Sequence, residues 1–130
     1  MNRILTAVCS MIFCWPILTY AQADVLKFNE TVHDFGQVLL GSGPVSCTFT
    51  ATNVGNKPVT IQSVTTSCGC TNVKWDHKEI APGSTANVSA SYSNDEGAWP
   101  FDKTLTVTVN GQAKPVILHL RGVSQKQILP

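Results

Sequence analysis

Ser67-Cys68-Gly69-Cys70-Thr71 is the segment of this chain whose residue types can do chemistry. Two thiols separated by one glycine admit four readings. Cys68 and Cys70 can join to each other, because a glycine bend shortens the Cα separation that an extended strand holds near the disulfide limit. So small a ring is strained, and strain makes the bond a better oxidant in thiol–disulfide exchange. Alternatively, Cys68 or Cys70 joins Cys47. The strand bearing Cys47 and the strand leading to Cys68 run antiparallel in a sandwich, so the start of one and the end of the next reach the same end. That bridge would close a loop of about twenty residues and stabilise by roughly 3 kcal/mol in the chain-entropy model. In a third reading both thiolates bind a soft ion, copper(I) or zinc(II), with His77 as a nitrogen ligand. Cys-x-Cys without a second paired motif is a weak zinc signature. In the fourth the thiols stay reduced and fill a bend as small hydrophobes, with Gly69 supplying a special dihedral. The spacing leaves all four open.

Other residues read more simply. His77, flanked by Asp76, Lys78 and Glu79, is a loop residue unless a metal recruits it. Trp75, Trp99 and Phe101 either form an exposed aromatic binding patch or seal the open ends of a small fold. Asp34-Phe35-Gly36 matches a kinase tripeptide by chance, with Phe35 a core residue and Gly36 a turn. His119, between two leucines, falls on a solvent face, and Asp95-Glu96 is a solvated loop tip. There is no Ser–His–Asp set, no paired carboxylates and no phosphate-binding loop, so the expectation is a non-enzymatic protein without a cofactor.

The elements that must position these residues are strands. Residues 1–23 read as a secretion signal: Arg3, an apolar stretch over Ile4 to Leu18, then Ala21-Gln22-Ala23 as a small-x-small cleavage site. Met11-Ile12-Phe13 is too bulky for lipid attachment at Cys14, so soluble export to the periplasm or beyond, starting at Asp24, is expected. Cys9 and Cys14 leave with the leader, and an odd set of Cys47, Cys68 and Cys70 remains for an oxidising compartment. The formal charge of the whole chain is +1, which supports neither nucleic-acid nor anionic-membrane binding.

After Asp24 helical periodicity is absent and period-two alternation recurs. Val45, Cys47, Phe49 and Ala51 alternate with polar neighbours, as do Ala86 to Tyr92, Leu105 to Val109 and Val116 to Leu120. Turn clusters at Asn53 to Pro58, Ala81 to Ser84 and Asn110-Gly111 separate them. About seven short strands of this kind predict an all-β fold, a single immunoglobulin-like β-sandwich over residues 24–124, with a frayed tail over 125–130.

The whole pattern resembles a family of exported bacterial domains known as domain of unknown function 1573. The matching residues are Asp34-Phe35-Gly36, Gly41, Phe49 to Gly55, the Cys68-Gly69-Cys70 motif, Trp75, Ile80-Ala81-Pro82-Gly83, Gly97, Phe101, Lys103-Thr104, Val107 and Gly122. The resemblance implies an immunoglobulin-like sandwich akin to sperm-protein and hydin-type modules, and no established activity. Cys47 and Ala98-Trp99-Pro100 depart from its pattern. Together these readings lead to an exported accessory or interaction module of the cell envelope, with an unknown envelope or extracellular protein as partner. The alternative is a thiol-redox or soft-metal (copper or zinc) protein acting through Cys68 and Cys70.

Overall fold

The computed structural model describes residues 24–127, so the leader expected over residues 1–23 and its expected cleavage site lie outside the described residues. Eight strands follow in order: β1 (Leu26–Phe28), β2 (Val32–Leu39), β3 (Val45–Asn53), β4 (Thr60–Thr66), β5 (Thr71–Trp75), β6 (Thr85–Tyr92), β7 (Pro100–Asn110) and β8 (Val116–Gln125). They form two four-stranded sheets, β1-β3-β6-β5 and β2-β8-β7-β4. The fold is the expected all-β sandwich.

Alternation builds it. Phe49 and Ala51 of β3 and Ala86, Val88, Ala90 and Tyr92 of β6 face Leu105, Val107 and Val109 of β7 and Leu118 and Leu120 of β8 in one buried cluster. The intervening Thr and Ser residues line the outer faces, where Ser46–Ser91, Thr48–Ser89 and Thr50–Asn87 hydrogen bonds cross between β3 and β6. Burying each large apolar side chain stabilises by about 1.5–3 kcal/mol, which drives the two faces together.

One strand more is present than the spacing predicts. Val32 to Leu39 lacks a buried stripe because β2 is an edge strand, pairing in parallel with β8. Gly36, expected in a turn, sits inside β2 at φ +68°, and its N–H donates to Asp34 Oδ1 at 2.8 Å. The β2–β8 register slips between Asp34 and Gln37, so this is a bulge. Phe35, expected in the core, is only half-buried and packs at its margin, because β2 is an edge strand. The C-terminal end also differs from expectation: Gln125 is still in β8, and its carbonyl accepts the Leu40 N–H at 2.8 Å.

The crossing between sheets is what positions the cysteines. β4 ends at Thr66 in one sheet and β5 begins at Thr71 in the other. Departure is pinned by Ser67, whose N–H donates to Thr104 O and whose Oγ accepts the Thr104 N–H, both at 3.1 Å. Arrival is pinned by the Ser93 N–H donating to Cys70 O at 2.9 Å. Cys68-Gly69-Cys70 therefore spans one end of the sandwich between fixed points.

Candidate functional site: the Cys68–Cys70 bridge and its carboxylate

Within that crossing Cys68 and Cys70 are joined by a disulfide, with their Cα atoms 5.2 Å apart. The turn is held by the Thr71 N–H and the Thr66 hydroxyl, both donating to Cys68 O, at 3.3 and 2.8 Å. The Cys70 N–H donates to Cys68 Sγ at 3.1 Å. Gly69 does not take the left-handed conformation expected of it; the positive-φ glycines are Gly36, Gly41, Gly43, Gly83 and Gly111. A Cβ on Gly69 would meet nothing within 4 Å, so the space beside Gly69 is open.

A carboxylate faces the bridge. Glu96 Oε1 lies 3.4 Å from Cys68 Sγ. Its Oε2 accepts from Lys103 Nζ at 2.9 Å and from the Tyr92 hydroxyl at 3.1 Å. The Lys103 hydrogen bond holds the Glu96 carboxyl below the usual glutamate value, with the Tyr92 hydroxyl and the Lys103 charge acting in the same direction. Burial, and then the bond to Glu96, push the Tyr92 phenol up to about 12. Tyr92 is fixed by stacking on Phe101 with ring centroids 4.2 Å apart. The sulfurs of Cys68 and Cys70 and a Glu96 oxygen all lie within 4.8 Å of one another. A disulfide can exchange with other thiols, and its sulfurs, once reduced, can ligate a cation together with the oriented carboxylate.

The other sequence-derived candidates lie elsewhere. Cys47 is the free cysteine among the described residues. It reaches the same end of the sandwich, as expected, since Val45 and Thr71 both pair with Tyr92. However, β6 runs between β3 and β5, placing Cys47 and the Cys68-Cys70 segment two strand spacings apart, roughly 10 Å. That exceeds the reach of a disulfide, so the Cys47 bridge, one of the four readings, is not formed. Burial, and secondarily the charge of Glu30, push the Cys47 thiol up to about 11. His77, a nitrogen ligand in the metal reading and otherwise a loop residue, lies past the far end of the five-residue β5 and packs against Trp75 with centroids 4.9 Å apart. Of the two readings of the aromatic residues, the exposed patch is not assembled. Phe101 is buried, Trp75 at the end of β5 packs against the core, and Trp99 alone of the three is broadly exposed, lying over Gly97.

Glu96, Tyr92 and Lys103 were not legible as site residues. Glu96 stands 28 positions from Cys68 and reads as a loop tip, while Tyr92 and Lys103 read as ordinary strand residues. No local signal joins them, because the contact is made only when the β6–β7 loop folds back over the sheet crossing.

A family model described as "Protein of unknown function (DUF1573)" matches residues 26–124. No curated protein matches the chain. Among solved structures, a protein of unknown function from Porphyromonas gingivalis W83 is similar at a TM-score of 0.65 and 23% identity, covering 76% of this chain and 46% of that one. The Vibrio cholerae VesB protease is similar at 0.61 and 20% identity over 78% of this chain and 32% of that chain. A PapD-like domain of human CEP192 is similar at 0.64 and 9% identity, over 80% and 87% of the two chains. At these identities the likeness is one of fold. This chain spans less than half the length of the Porphyromonas and Vibrio proteins.

Proposed function

We propose, from the premise that this chain belongs to the DUF1573 family of proteins of unknown function, that it acts as an exported, non-enzymatic accessory module that binds another protein at the cell envelope. The observation that carries this reading is the free flank of β2. This eight-residue strand is bonded on one side to β8 and, among the described residues, to no strand on the other. Its unpaired N–H and C=O groups can accept an added strand, the mode of recognition in which main-chain bonds supply affinity and alternate side chains supply specificity. Val32 and Leu39 stand exposed near its two ends. Recurrence of the same fold as a minor part of a longer protease chain supports an accessory role.

The reading is tested in the host cell with a photo-crosslinking residue at Gln37 in β2 and, as control, at Thr48 on the outer face of β3. A discrete adduct from position 37 and not from 48, with the recovered chain starting at Asp24 in the envelope or culture fraction, is the expected result. Equal labelling from both positions, or recovery of the unprocessed chain from the cytosol, would exclude it.

A further inference from the structure

The crossing between the sheets holds one group more than a disulfide needs. A disulfide is neutral and asks for no carboxylate, yet Glu96 Oε1 stands 3.4 Å from Cys68 Sγ. Glu96 is not there by accident of a loose loop, because Lys103 and Tyr92 grip its other oxygen. We propose that reduction of the Cys68–Cys70 bond converts this cluster into a binding site for one zinc(II) ion, held by both thiolates and the Glu96 carboxylate, with water completing the shell. This goes beyond the interaction role of β2 and does not depend on it.

Three arguments support the site. The first is electrostatic. Reduction leaves two ionisable thiols and a carboxylate within 4.8 Å of one another, and like charges so close oppose ionisation unless a cation joins them. The second is geometric. Zinc takes sulfur at about 2.3 Å and carboxylate oxygen at about 2.1 Å, so donors around one ion stand about 3.5–3.8 Å apart. Glu96 Oε1 already stands at about that distance from Cys68 Sγ, and once their bond is cut the two sulfurs need only part to reach it. The third is the donor set. Thiolates suit copper(I) and zinc(II) alike, whereas the carboxylate is a harder ligand that favours zinc(II). Lys103 and Tyr92 then serve as the outer partners that orient the ligating carboxylate.

The redox step needs a dithiol. One of its thiolates attacks a sulfur of the Cys68–Cys70 bond, its second thiolate resolves the mixed disulfide, and the reagent leaves as a disulfide. Two electrons and two protons thereby pass to Cys68 and Cys70. Zinc displaces those protons as it binds, so affinity falls as pH is lowered.

The test uses the purified secreted chain, either oxidised or reduced with a dithiol that is then removed without air. Each form is titrated with zinc(II) against a chromophoric chelator. Reduced protein is expected to bind about one ion per chain and oxidised protein none at the same concentrations. Glu96→Gln should weaken binding by about tenfold or more. Cys68→Ser should abolish it, with far-UV circular dichroism confirming the fold, and His77→Ala should leave it unchanged. Cobalt(II) should produce a thiolate-to-metal charge-transfer band in reduced protein alone. Equal binding by the oxidised and reduced forms would overturn the proposal without recourse to any variant. So would a Glu96→Gln protein of undiminished affinity, or reduced protein that takes copper(I) but not zinc(II).

Discussion

Cys47 and Cys68 have the same side chain and opposite fates. Cys47 faces inward from β3 beside the core, and its raised thiol stays protonated and unreactive at neutral pH. Cys68 is bonded at the sheet crossing under a carboxylate. The carboxylate has a consequence of its own. Glu96 titrates below its free value of 4.5 in the folded chain, so on acidification the unfolded chain takes up this proton first. Its contribution to stability is therefore fully present above about pH 4.5 and is lost as pH falls through the lower folded value. The urea midpoint of the native protein should drop more steeply on acidification below that point than the midpoint of Glu96→Gln. The difference should be modest, because the ion pair with Lys103 is partly solvated. Superimposable pH profiles for the two proteins would show that Glu96 makes no such contribution. Cys68 and Cys70 could be singled out from the chain because their types and spacing are local. Glu96 could not, since nothing near it in sequence marks it out from any exposed acidic pair.

At the scale of elements, β2 is the strand that alternation misses and Gly122 is the residue that seats it. A Cβ on Gly122 would stand 2.9 Å from the carbonyl oxygen of Gly36 and 2.9 Å from Phe101 Cζ. Neither neighbour can give way cheaply: the first is backbone in the bulge, and the second is wedged on Tyr92. Gly122→Ala should cost about 1–3 kcal/mol in chemical denaturation. It should also speed amide exchange in β2 more than in β7, because the strain falls on the β2–β8 pairing. A variant with native stability and unchanged exchange would show that the bulge is free to shift. Gly122 could be picked out in the chain only through its family resemblance. Its role lies in a contact with a glycine 86 positions earlier, to which no periodicity points. For the same reason β2, exposed along most of its length, lacks the buried stripe that made β3, β6, β7 and β8 legible.

At the scale of the whole molecule, two buried asparagines tie the connections to the sheets. Asn94, fully buried at φ +58°, donates from Nδ2 to Leu39 O at 2.8 Å and to Gly43 O at 3.3 Å, while its Oδ1 accepts the Ser124 hydroxyl at 2.8 Å. It thus joins the β2–β3 loop and β8 to the loop that carries Glu96. Asn53 donates from Nδ2 to Lys57 O and Ile80 O, both at 2.8 Å, and accepts the Gly55 N–H. Asn94→Ala would leave buried groups unpaired and put an alanine in a left-handed conformation. A loss of about 1–3 kcal/mol is expected, read as a lower denaturant midpoint with the slope unchanged. An unchanged midpoint would mean that these loops are held by other contacts.

Sequence by itself determined the class of fold and the two sulfurs. Alternation is a property of neighbours along the chain, and strands with one apolar face have few ways to hide it other than against a second sheet. Tertiary structure decided which cysteines meet, that β6 stands between Cys47 and the other two, and that a glutamate from a distant loop faces their bond. Those outcomes depend on strand order and on loop return, which arise from long-range pairing and leave no periodic trace in the residues that take part.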